Sequence, residues 1–153
     1  VKRQEHPNGF GVRLLRTFKN GMRLRLHTWV PGVDRLKTPH DHRSWFISLP
    51  LWGRFLEQRY EEVRPFERRT FYSRPYQVLR CHQTSSNGRP ITTPEGDSQL
   101  ISVSSHTRYP LVPYFCGSGA IHSFVPIRPG FAASLVLFGA PKHIPRAFVP
   151  SEL

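Results

Sequence analysis

The chain is poor in cysteine, methionine and lysine and has no long apolar run, and each shortage narrows what it can be. Its only cysteines, Cys81 and Cys116, form no CxxC pair and no zinc-ribbon spacing, and nothing requires them to pair with each other. No run of eighteen apolar residues occurs, so no helix of the length needed to cross a bilayer can be read. The first residues, Val1-Lys2-Arg3-Gln4-Glu5, are polar, do not begin with Met and hold no secretory apolar core, which makes a cytoplasmic location the expectation. Acidic residues number 10 against 22 Lys and Arg, a formal net charge of +12, and arginine supplies most of the excess. The basic residues come singly or in pairs, as in Lys2-Arg3 and Arg68-Arg69, with no block of five. Charge alone therefore admits a polyanion, nucleic acid or a small acid, without favouring nucleic acid.

A length of 153 residues fits one domain, 1–153, with enough apolar content (38%) to bury a core. Fifteen prolines and eleven glycines are spread along the chain, a punctuation that suits short strands and breaks long helices. Strands are expected at 11–17 and, after the Asn20-Gly21 hairpin signal, at 22–30. There Leu24, Leu26 and Thr28 alternate with Arg23, Arg25 and His27. A period of two marks one buried face, and the leucines are the expected side. A long β-type segment runs from Pro39 to a reversal at Gly53, with a return strand over 54–63. Shorter strands are expected at 68–73, 76–82, 100–104, 111–116, 120–125 and 131–138, and a polar lid-like loop at 83–97. So many short strands with close turns imply an all-β sandwich or barrel.

The strongest chemical signal is His40-Asp41-His42. On a strand, residues i and i+2 point the same way, so the two imidazoles can share a metal while Asp41 faces away. About eighty residues on, Gly119-Ala120-Ile121-His122 offers a third imidazole on another strand.

These two segments resemble the cupin superfamily. Its first motif has His-x-His opening a strand with a Gly at the next turn, and its second has a Gly followed by a His. The likeness covers about residues 22–140 and implies a single-domain double-stranded β-helix, or jelly-roll barrel, with few or no helices. The run Pro39-His40-Asp41-His42-Arg43-Ser44-Trp45-Phe46 also resembles small bacterial and phage-type cupins. The resemblance implies His40, His42 and His122 as metal ligands. It departs from the common pattern where a Glu ligand usually follows the second His, because Phe46 and Ile47 stand there. The ligand set is therefore similar to the three-histidine type of thiol dioxygenase-like cupins. Three neutral imidazoles leave the ion's 2+ charge uncompensated and leave positions open for water, dioxygen or an anionic substrate. Fe(II) is the leading expectation, with Zn, Ni, Cu or Mn as alternatives.

Around this centre, Ser44, Phe46 and Ser48 share the parity of His42, and Ala120 and Phe124 that of His122, so they are expected to line the cavity. Glu57 is a candidate catalytic, metal-orienting or substrate-contacting group, and Tyr60 and Tyr114 are candidate acid/base groups. Arg54 and Arg59 on the return strand are candidate contacts for an acidic substrate. His27 and His82 read as structural, His106 and His143 as solvated loop residues, and Trp45 and Trp52 as packing outside the barrel or under a covering strand. The leading function is a mononuclear metal-dependent oxygenase using dioxygen on a small acidic metabolite or amino-acid derivative. An isomerase, epimerase or lyase of the same fold is the first alternative, and a ligand- or nucleic-acid-binding module the second. A homodimer through the face near Trp45 and Trp52 is a further candidate.

Overall fold

The computed structural model describes residues 4–5, 10–30, 38–63, 74–84, 90–127 and 131–151. Among them there is no helix. Eleven strands run in chain order: β1 (Gln4–Glu5), β2 (Gly11–Thr17), β3 (Arg23–Trp29), β4 (Phe46–Trp52), β5 (Phe55–Val63), β6 (Arg74–Thr84), β7 (Pro90–Arg108), β8 (Tyr114–Cys116), β9 (Ile121–Pro126), β10 (Ala132–Phe138) and β11 (Arg146–Pro150). One sheet has the order β1-β2-β3-β10-β4-β8 and the other β11-β6-β7-β5-β9, with antiparallel pairing throughout. This is an all-β jelly roll of two antiparallel sheets, the fold class that the sequence implies.

The β2–β3 hairpin shows how local chemistry sets a turn. Gly21 has φ +81° and its N–H donates to Phe18 O at 3.0 Å, while Phe18 N–H donates to Met22 O at 2.9 Å. Asn20 does not take a positive φ. The loop is thus a turn closed by one left-handed glycine, one residue longer than the two-residue Asn-Gly turn that needs both residues left-handed. At the β4–β5 reversal Gly53 has φ +82°, and a Cβ there would stand 2.8 Å from Ala132 Cβ, so glycine is required twice over.

The interior of β3 is opposite to the expectation. His27 and Trp29 face inward and are buried, with Arg25 on the same side, while Leu24, Leu26 and Thr28 take the outer face. The register explains this. Leu26 pairs with Leu135 and Leu24 with Leu137, and these in turn pair with Leu49 and Ile47 on β4. The result is an outer apolar row across three strands that imitates a core face, whereas the inner face is filled by stacked rings. Phe10 lies 5.1 Å from Trp29, and Trp29 lies 4.8 Å from Phe55.

Residues 90–97, expected within a loop, are the first half of β7 and pair with β6 from Val78↔Gly96 to Thr84↔Pro90. Thr92 to Asp97 are all exposed, so no apolar alternation marks them as strand. The expected strand at 111–116 shortens to β8, because Leu111 sits in a turn at φ 62°. The expected strand at 68–73, and the tip 85–89 of the expected loop, lie outside the described residues.

The feature that positions the site is a single residue. His40 forms isolated antiparallel bridges to both His122 on β9 and Ala147 on β11. Since β9 and β11 are the two edges of the second sheet, the segment at His40 joins those edges. His40 N–H donates to His122 O and His122 N–H to His40 O, each at 2.9 Å, and Phe148 N–H donates to Pro39 O at 2.9 Å.

Candidate metal centre

Main-chain pairing puts His40 opposite His122, and the two-residue step to His42 brings the third ring to the same point. The ring centroids form a near-equilateral triangle: His40–His42 4.9 Å, His40–His122 5.1 Å and His42–His122 5.0 Å. One ring nitrogen from each lies within 4.8 Å of the other two. His42 precedes β4 and is not part of a regular strand, so the shared direction of the pair comes from the bridge at His40 and from Asp41. Asp41 faces away, as its parity requires, and is buried. Its carboxylate accepts from Arg146 N–H at 2.6 Å and from Arg146 Nε at 3.0 Å, which pins the segment to β11.

Two of the three rings are oriented from behind. His40 Nδ1–H donates to Thr38 O at 3.0 Å. His122 Nδ1–H donates to Glu57 Oε1 at 3.1 Å. Both bonds turn the Nε2 lone pair forward, the arrangement that makes an imidazole a metal ligand. His42 Nε2 and His122 Nε2 stand 2.9 Å apart. Two neutral rings facing each other by lone-pair nitrogens repel unless a proton or a cation sits between them, so the donor set fits a metal ion bound by His40, His42 and His122.

Glu57 is fully buried yet charged. Burial alone pushes its carboxyl up, but hydrogen bonds and charge from His122 and Arg108 outweigh this and lower it to about 2. Arg108 donates through Nε at 2.8 Å and through a second guanidinium nitrogen, and Arg59 Nε lies 3.4 Å away. Glu57 therefore sits behind His122 and does not border the cavity. A second donor group, Glu57, Cys116 and His122, is entirely buried and shares His122 with the first. Burial raises the Cys116 thiol to about 12, which keeps it protonated and a poor ligand. Cys81 and Cys116 are both free thiols.

In front of the histidines is a cavity of about 40 Å³. A water needs ~10–15 Å³ by this measure, so the space holds on the order of three small atoms or molecules. Among the described residues its wall is mostly aromatic and carries no Arg, Lys, Asp or Glu. Phe46, Ser48 and Phe124 line it as expected from parity, and so does Tyr114. Ser44 is buried but not on the wall, and neither is Ala120. Arg54 is exposed over the Tyr109 ring at 5.4 Å, and Arg59 donates to Phe115 O at 3.2 Å; neither reaches the cavity. Tyr60 is also elsewhere, its hydroxyl 3.1 Å from both Gln58 Oε1 and Ser123 Oγ. Burial drives the Tyr114 hydroxyl upward, so it stays a neutral donor.

Sequence reasoning missed His27, Trp29, Phe10 and Phe138 on the wall, and Thr38 and Arg108 behind the ligands. The parity of His27 with Trp29 was the available signal. His106 is exposed on β7 rather than in a loop, and His82 Nε2 is 2.8 Å from Thr93 Oγ1. Trp52 is exposed and Trp45 half-buried beside Phe115, outside the inter-sheet core.

No protein-family model matches the chain, and no curated protein matches it. Among solved structures it is similar to an oxalate oxidase at 17% identity and a TM-score of 0.47, covering 92% of this chain and 56% of that one. It is similar to a protein from Shewanella oneidensis at 11% identity and a TM-score of 0.49, covering 92% and 73%. It is also similar to the oxalate decarboxylase of Lactobacillus farciminis, solved as a formate complex, at 14% identity and a TM-score of 0.44, covering 95% and 32%. The chain thus spans about half the length of that oxidase and a third of that decarboxylase. The fold assignment rests on the strand order and register described above.

Proposed function

We propose that the chain is a metal-dependent cupin enzyme with a mononuclear centre on His40, His42 and His122, and that it is an oxidoreductase using dioxygen on a small molecule. The observation that carries this reading is the convergence of three imidazoles, two of them held nitrogen-forward by Thr38 O and Glu57. When bound, such an ion supplies Lewis acidity and, if it is Fe(II) or Mn(II), one-electron chemistry. The residues of the chain do the rest. Thr38 and Glu57 fix the ring tautomers, Arg108 holds the Glu57 carboxylate behind His122, and Phe46, Phe124 and Phe138 narrow the cavity. A cavity this small suits dioxygen and a ligand of few non-hydrogen atoms. The isomerase alternative would need an acid and a base at the cavity; of the two candidate tyrosines Tyr60 is turned toward Ser123, while Tyr114 lines the cavity.

Elemental analysis of the purified protein beside a His40→Ala/His122→Ala variant tests the centre. Near-stoichiometric metal in the wild type and none in the variant is expected. An oxygen electrode with small carboxylic acids then tests the reaction. No metal in either protein after reconstitution with Fe(II), Mn(II) or Zn(II) refutes the reading.

A further inference from the structure

Among the described residues four arginines pair with carboxylates. Arg108 and Arg59 meet Glu57, Arg146 meets Asp41 and Glu62, and Arg80 meets Glu95. Arg25 is different. It lies on the inward face of β3, two residues from the cavity-lining His27, and is half-buried. No carboxylate among the described residues pairs with it or with its neighbours Arg23 and Arg43. Burial and the charges of Arg23 and Arg43 all disfavour its charged form. Its guanidinium rests on the ring of Phe138, with Cζ 5.1 Å from the centroid, and that ring also neighbours Phe46 at 5.5 Å and His27 and His42 at 5.9 Å each, centroid to centroid. Phe138 lines the cavity, so one aromatic ring separates the cavity from the Arg25 guanidinium.

A half-buried guanidinium without a counter-ion is costly, and close like charges add to the cost. Such a cluster stands where an anion completes it. We propose that Arg25, flanked by Arg23 and Arg43, is an anion-binding site behind the Phe138 wall of the cavity, taking the carboxylate or phosphate of a small acidic ligand. As a substrate-recognition element it rests on the metal-centre reading; as an anion site it stands alone. It also supplies what Arg54 and Arg59 do not, a cationic group next to the cavity. The planar fork of Arg25 suits two-point contact with a carboxylate or phosphate, backed by a point charge from each neighbour.

The probe is inorganic phosphate, titrated calorimetrically into the full-length protein both metal-free and zinc-loaded. Saturable binding by the metal-free wild type is expected. Arg25→Gln should weaken it at least tenfold, Arg43→Gln by less, and Arg54→Gln not at all. Arg25→Gln removes an unpaired charge, so its melting temperature in phosphate-free buffer should not fall. The rise in melting temperature that phosphate gives the wild type should shrink in the variant. Equal affinity in the wild type, Arg25→Gln and Arg54→Gln, or equal losses in both variants, overturns the proposal, because the anion then reads only the net positive surface. Loss of phosphate binding in Arg25→Gln by a protein that takes up no zinc leaves the anion site standing and removes the metal centre. Zinc uptake with unaltered phosphate binding in Arg25→Gln does the reverse.

Discussion

Replacing Glu57 by Gln keeps the size of a fully buried side chain and removes only its charge, which makes it the sharpest perturbation of the centre. The carboxylate accepts from His122 Nδ1 and from two nitrogens of Arg108. Those bonds lower its pKa from 4.5 to about 2 against the opposing effect of burial. A gap of that size corresponds to roughly 3 kcal/mol of folding stability at neutral pH. The folded value lies below the unfolded one, so the contribution is fully present above about pH 4.5 and is lost as pH falls through about 2. Urea unfolding of the metal-free protein should therefore separate wild type from Glu57→Gln by about 3 kcal/mol at pH 7. The separation should narrow below pH 4.5 and almost vanish near pH 2. The same substitution frees His122 from its orienting acceptor, so zinc affinity, measured by chelator competition, should fall by about 10–100-fold. A stability difference under about 1 kcal/mol that does not change with pH, together with unaltered zinc affinity, would refute the charged Arg108–Glu57–His122 relay.

Gly53→Ala should destabilise the fold by more than about 1 kcal/mol, because it combines a left-handed φ with a 2.8 Å approach to Ala132 Cβ; thermal melting reads it. Asp41→Ala strips the buried acceptor from Arg146 and should cost about 3 kcal/mol in urea while weakening metal binding, although Asp41 faces away from the metal. Phe46→Ala should cost about 3–5 kcal/mol and leave metal stoichiometry intact, since the ring packs 4.8 Å from His42 without offering a ligand atom.

Much of the architecture was legible because it is written in spacing. Proline and glycine marked most strand ends, and the glycine at 53 marked a reversal that only glycine can make. The outer face of β3 misled because Leu24 and Leu26 extend an apolar row through Leu137 and Leu135 to Ile47 and Leu49, and a local period of two cannot say which face meets the other sheet. The polar strand at 92–97 left no trace because both of its faces are wet. Side-chain parity along β4 found Phe46 and Ser48 but could not find Phe138 or His27, whose place beside the histidines depends on strand order across the sheet.

The histidine triangle itself has a cause that spacing alone does not reveal. His40 and His42 are not two successive inward positions of a long strand. They converge because the chain at His40 pairs at once with β9 and β11 and so joins both edges of the second sheet. His122 is the residue that His40 pairs with on one edge, and Arg146, next to its partner Ala147 on the other, is tied to Asp41. The histidine triangle and the joining of the two edges of the second sheet are thus one structural element. It follows that a cation bridging His42 and His122 should stiffen the whole second sheet. Amide exchange should slow along β9 and β11 on metal binding, and stay unchanged in β2, which touches neither edge.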